Sequence, residues 1–84
     1  MRHQISCADK DRNGVIQGIG NRNRTWTRLE AVRLIRSGTA SFFVQRPGTR
    51  PTDIHVYADQ YLRTDPDGDS RNNLDDLGGC EFAS

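Results

Sequence analysis

Thr25–Gln45 reads TWTRLEAVRLIRSGTASFFVQ, and its reading decides the fold. Thr27 has the character of a helix N-cap, and Glu30, three residues on, completes a capping box. Trp26 precedes the cap, where it can staple onto Ala31. Leu29, Ala31, Val32, Leu34 and Ile35 recur at helical spacing and form a wide apolar face. Gly38 takes the left-handed stop position. The spacing predicts a helix over about 27–37. Ser41–Gln45 then alternates as a strand, with Phe42 and Val44 on one face and Phe43 on the other.

Working outward, Ile5–Asp9 and Val15–Ile19 read as the strands of a hairpin. A three-residue loop, Arg12-Asn13-Gly14, pairs Asp11 with Val15, and Gly14 takes the left-handed position of a bulged turn. That register puts Ile5, Cys7, Val15 and Ile19 on one face. After the helix, residues 46–51 form a Pro-Gly loop. Thr52–Tyr57 is a strand with Ile54 and Val56 inward and His55 and Tyr57 outward, and Tyr61–Thr64 is a short last strand. The 84 residues are expected to form one α+β domain. A small antiparallel β-sheet, made of the hairpin and strands near 41–45, 52–58 and 61–64, carries one α-helix on one face. Residues 65–84 are an acidic, turn-rich tail. Arg63, Asn72, Asn73, Leu74 and Leu77 are its candidate docking residues, the asparagines by bonding backbone groups.

Apolar residues make up only 33% of the chain, so the core is small. A chain this size buries roughly 60–65% of its extended surface. The first residues carry no apolar signal-peptide run and no stretch is long enough to span a membrane, so a cytoplasmic location without membrane contact is expected. In that reducing setting Cys7 and Cys80 are expected to be free thiols. A Cys7–Cys80 bridge tying the two ends is the alternative.

Charge is uneven along the chain. Residues 1–50 hold ten basic against three acidic residues, a balance of +7; residues 51–84 hold two against eight, a balance of −6. Either the halves neutralise each other in the fold or across a dimer, or the basic half contacts a polyanion. Arginine outnumbers lysine eleven to one, which suits bidentate phosphate contacts. Arg22, Arg24, Arg28, Arg46 and Arg50 are the candidate nucleic-acid residues, provided that they share one face.

Other chemistry is sparse. Asp65, Asp67 and Asp69 fall at the first, third and fifth positions of a calcium-loop pattern. Ser70 then replaces its turn glycine, and Asp76 is too short to copy its bidentate glutamate. His3, Cys7, His55 and Cys80 are zinc-ligating types without close Cys-x-x-Cys spacing. Asp53, His55 and Tyr57 share one strand face and could transfer protons, but no nucleophile or phosphate-loop motif accompanies them. No cofactor is expected. The sequence is read as a non-catalytic binding or accessory module. Its candidate partner is a nucleic acid or other polyanion, and the alternative is a protein partner or a homodimer.

The order of features also resembles a known family. An Ile-Ser-Cys start and a polar Gly hairpin are followed by WTxxEAVxLIxSG, FxV, and a final YLRTDPDGDSxNNLxxLxxC. This pattern is similar to a family of small, mostly bacterial domains of unknown function, DUF3892, over nearly the whole chain. The resemblance implies a compact domain and no particular activity. Leu77-Gly78-Gly79 replaces the family's usual Leu-Pro before the last cysteine, which leaves the tail's end less constrained.

Overall fold

In a computed structural model, which describes residues 1–65, 68 and 70–80, the chain forms seven strands and one α-helix among those residues. The strands are β1 (Arg2–Ile5), β2 (Cys7–Lys10), β3 (Ile16–Gly20), β4 (Thr25–Thr27), β5 (Ser41–Val44), β6 (Thr52–Tyr57) and β7 (Tyr61–Thr64). The helix, α1, spans Arg28–Ser37, and two single-turn 3₁₀ helices, Ser70–Asn72 and Leu74–Asp76, follow β7. The fold class is α+β, with two small sheets where one was expected. One has the order β1-β5-β6-β7 and the other β2-β3-β4.

The two sheets share one extended segment. β1 pairs parallel to β5, Arg2 beside Ser41 through Ile5 beside Val44. At Ser6 the chain leaves that sheet, and its N–H donates to Gly20 O at 2.9 Å. Cys7–Lys10 then pairs antiparallel with β3. This corrects the single antiparallel sheet, and it also corrects the hairpin's faces. The turn itself is as expected: Asp11 N–H donates to Val15 O (3.0 Å), and Gly14 has φ 83°, which a residue with a Cβ adopts only at a cost. However, Asp9 pairs with Gly18 and Lys10 with Ile16, so Gln17 is an extra, bulged residue. The bulge inverts the alternation, and Ile16 rather than Val15 enters the core.

The helix begins and ends where the sequence places it. Thr27 Oγ1 accepts from Glu30 N–H (3.1 Å), Glu30 Oε1 accepts from Thr27 N–H (3.0 Å), and Gly38 is the left-handed cap. Ala31 and Val32 are buried, while Leu34 and Ile35 pack against the core partly exposed. Leu29 is the exception to the expected face, at 62% exposed. At ~100° per residue it lies about 160° round the helix from Ala31, on the solvent side. Trp26 is a residue of β4, opposite Ile19. Its ring meets Phe42 edge-on at 5.0 Å and His3 at 4.9 Å. The core runs between the sheets and the helix, with Ile5, Ile19, Phe42 and Val44 at its centre.

The tail closes this core. Leu74 and Leu77 are buried in it, and Asn72 is fully buried. The Asn72 amide fills its hydrogen-bonding capacity. Its Oδ1 accepts from Arg46 N–H (2.9 Å) and Thr49 Oγ1 (3.0 Å), and its Nδ2 donates to Arg50 O (2.6 Å) and Thr52 Oγ1 (3.2 Å). Gly68 lies so close to Thr52 that a Cβ there would overlap its side chain. Beyond Leu77, Gly78 O accepts from Ala8 N–H (2.9 Å) and Cys80 N–H donates to Asp9 Oδ1 (2.9 Å). This return over β2 leaves the Cα atoms of Cys7 and Cys80 5.1 Å apart and joined by a disulfide. The expectation of free thiols is corrected: it rested on compartment alone, and the tail's docking brings the two sulfurs together. A bridge across 73 residues of sequence stabilises the fold by about 4 kcal/mol in the chain-entropy view.

Asn72→Ala should lower unfolding free energy by about 2–4 kcal/mol in urea denaturation, because it strands several partly buried donors and acceptors at once. Glu30 should give a pH signature. The Thr27 backbone N–H, then the Thr27 side chain and the charges of Arg24 and Arg33, hold its carboxyl below the ordinary value. A depressed carboxylate contributes stability above its unfolded pKa and loses it as pH falls through the folded one. Wild type should therefore lose its advantage over Glu30→Gln on acidification. A denaturation difference that stays flat from neutral to acidic pH would refute this.

Candidate functional site

Strand alternation gives the four-stranded sheet two unlike faces. Ile5, Phe42, Val44, Ile54 and Leu62 point into the core. Arg2, Phe43, Asp53, His55, Tyr57, Tyr61 and Arg63 occupy the opposite face, and all are exposed or half-buried. Phe43 sits opposite Asp53, His55 opposite Arg63, and Tyr57 opposite Tyr61.

Several side chains on this face lie against one another. The Arg2 guanidinium lies 4.1 Å over the Phe43 ring and donates to Asp53 Oδ1 at 3.0 Å. The Arg63 guanidinium lies 5.5 Å from the Tyr57 ring, and the Tyr57 and Tyr61 rings are 5.4 Å apart. Arg28 reaches the same corner from the start of α1. It donates to Gln60 O at 2.6 Å, 5.4 Å from the Tyr61 ring, and its Nε is buried without a hydrogen-bond partner. Cation–π contacts of this kind are worth about 0.5–1 kcal/mol at exposed sites. His55 Nε2 is 3.7 Å from Asp65 Oδ2. The result is a sheet face carrying aromatic rings with guanidinium groups close to them.

The five arginines singled out from the sequence are not brought together. Arg28 sits beside the β6–β7 turn, whereas Arg46 and Arg50 lie in the loop at the other end of β6. Six residues of strand separate those ends by about 17 Å. Arg46 is engaged by the tail, donating to Asp76 O at 3.0 Å, and Arg50 O accepts from Asn72. Arg24 stacks 5.1 Å from Trp26, and Arg22 is exposed in the β3–β4 loop. Among the tail residues, Asn72, Leu74 and Leu77 dock, and Leu74 N–H also donates to Thr64 Oγ1 (3.3 Å). Asn73 is exposed. The described contact of Arg63 is with Tyr57, on the sheet's outer face.

For calcium, Asp67 and Asp69 lie outside the described residues. Asp65 faces His55, and Asp76 is exposed. Among the described residues no three His, Cys, Asp or Glu gather around a common point. Cys7 and Cys80 are joined to each other and are not free to ligate zinc. A shallow depression of about 200 Å³ on the other sheet is lined by Asp9, Gln17, Thr25, Trp26 and Thr27. Its one carboxylate, Asp9, already holds Cys80 N–H.

Counting arginines in the sequence pointed to the loops, and the stacked face escaped that count. Its signal was nonetheless present, in the outward aromatic positions 43, 55 and 57 of two strands. What the sequence lacked was the strand order that sets Arg2 beside Phe43 and Arg63 beside Tyr57.

The turn that presents the tyrosines is strained. Ala58 and Asp59 have φ of 50° and 60°, a conformation that costs a residue with a Cβ roughly 1–2 kcal/mol. Ala58→Gly should raise stability by about 0.5–1 kcal/mol after the added unfolded-state entropy, measured by urea denaturation. A loss of stability would show that the Ala58 methyl contributes packing that outweighs the strain.

The profile of a family described as "Protein of unknown function (DUF3892)" matches residues 4–78. No curated protein and no solved structure matches the chain. The chain belongs to the DUF3892 family.

Proposed function

We propose that this member of the DUF3892 family is a non-catalytic binding module whose ligand, a nucleic acid or other polyanion, lies on the open face of the four-stranded sheet. The observation that carries the reading is the pairing of guanidinium groups with aromatic rings on a face that no described element covers. Arginine suits phosphate through its planar fork of donors, and rings add sequence-tolerant stacking. Of the five arginines chosen from the sequence, only Arg28 borders this face, so the proposal moves from the Arg-rich loops to Arg2 and Arg63.

A second reading has its own support. Tyrosine and arginine dominate the energetics of protein interfaces, and Tyr57 is 46% exposed, so a protein partner or a second copy of the chain could occupy the same face. The Cys7–Cys80 disulfide counts against the cytoplasmic setting expected from the sequence. No helix among the described residues is long and apolar enough to cross a membrane, and the bridge argues for surroundings that tolerate disulfides.

An amide-resolved NMR titration with a short mixed-sequence oligonucleotide, at low and then physiological salt, tests the main reading. Shifts should fall on β1, β5, β6 and β7 around Arg2, Phe43, Tyr57 and Arg63 and should weaken with salt. Shifts confined to residues 22–24 and 46–50 would return the site to the loops. An unmoved spectrum at low salt would end the polyanion reading and favour the protein partner, which size-exclusion chromatography across concentration would pursue.

A further inference from the structure

We infer that the polyanion taken by the open face is a single-stranded nucleic acid, held through stacked bases more than through its phosphates. This rests on the reading of that face as a polyanion surface and narrows it to one ligand class.

Charge supplies the first argument. Among the described residues the face offers Arg2 and Arg63, with Arg28 at its border, and Arg2 is already bound to Asp53 at 3.0 Å. Asp65 stands at the edge, facing His55. Backbone-only binding draws its affinity from neutralising many phosphates and releasing their counterions. Three cations, of which Arg2 is paired with a carboxylate and Arg28 donates to a backbone carbonyl, cannot supply much of that. Affinity on this face must come from its planes.

Geometry supplies the second argument. Arg2 is fixed between the Phe43 ring and the Asp53 carboxylate, so its guanidinium is a prearranged ledge. Arg63, Tyr57 and Tyr61 make a second platform. Bases stack on guanidinium planes as well as on rings. Asp53 is opposite Phe43 and Tyr57 is four residues further along β6, which places the platforms about 13 Å apart at strand rise. Successive bases of a duplex strand advance only ~3.4 Å and hide their faces inside the stack. A splayed single strand of about two to three nucleotides can lay separate bases on the two platforms, as on other RNA-binding sheets.

The test is fluorescence anisotropy at low salt with a labelled mixed-sequence single strand, the same sequence as a duplex, and inorganic polyphosphate as competitor. The single strand should bind about tenfold or more tighter than the duplex, and polyphosphate should compete poorly. Tyr57→Ala should weaken single-strand binding about tenfold, the size of one lost stack, while Tyr57→Phe should keep it. The slope of log affinity against log salt should be shallow, near one or two phosphates. Tyr57 is half-exposed, and an unchanged thermal melt would show that each variant is folded. Equal binding of strand, duplex and polyphosphate, indifferent to Tyr57→Ala, would overturn the inference and leave a purely electrostatic surface. Failure of all three to bind would overturn the underlying polyanion reading as well, in favour of a protein partner.

Discussion

The parallel pairing of Arg2–Ile5 with Ser41–Val44 is the contact through which the other features of the molecule are connected. It draws the first strand out of the N-terminal hairpin and adds it to the sheet made by the second half of the chain. The segment must then bend at Ser6 to pair with β3, which creates the second sheet and the space between them that Trp26 and Phe42 fill. The same pairing lays Arg2 over Phe43 and against Asp53. It also sets Cys7 just beyond the bend, where the returning tail can reach it. A parallel neighbour needs a long crossover, and here the hairpin, β4 and α1 together provide it.

The tail has a part in the core, not a decorative one. A chain of 84 residues has little apolar surface to spare, and Leu74 and Leu77 are members of the main cluster. Burying them requires the backbone between β7 and β2 to satisfy its polar groups, and Asn72 does this for the facing loop through four contacts. The disulfide comes after this docking in the chain of causes: Ala8–Gly78 and Asp9–Cys80 hydrogen bonds already hold the tail against β2. The described part of the tail lies against the core and β2, and no described element covers the outer face of the other sheet.

How much was legible in the sequence depended on the range of each interaction. The capping box of Thr27 and Glu30, the stop at Gly38 and the turn at Gly14 are local and were read correctly, as were β5, β6 and β7. The pairing of β1 with β5 joins residues 39 apart and leaves no periodic mark. The bulge at Gln17 reverses an alternation that looked regular, which is why Val15 and not Ile16 was assigned to the core. β4 is three residues long, too short for a pattern, and was absorbed into the helix start. For the site, outward aromatics were visible residue by residue, but the stacking partners come from neighbouring strands, and strand order was the missing information.

The uneven charge of the sequence resolves in the same way. The order β1-β5-β6-β7 sets two strands from the basic half against two from the acidic half. Arg2 meets Asp53 at 3.0 Å and Arg36 lies 3.8 Å from Asp59, and Arg46 is held by the tail backbone. These pairs are exposed, and each is worth only about 0–1 kcal/mol, so they do not account for stability. Their effect is on the surface field. The pairing of Arg2 with Asp53 and of Arg36 with Asp59 offsets part of the basic half's charge. Under the proposed reading, a face built this way would attract a polyanion weakly from a distance and discriminate at contact, through Arg2, Phe43, Tyr57 and Arg63. The +7 and −6 halves thus meet within one sheet, where β5 pairs with β6.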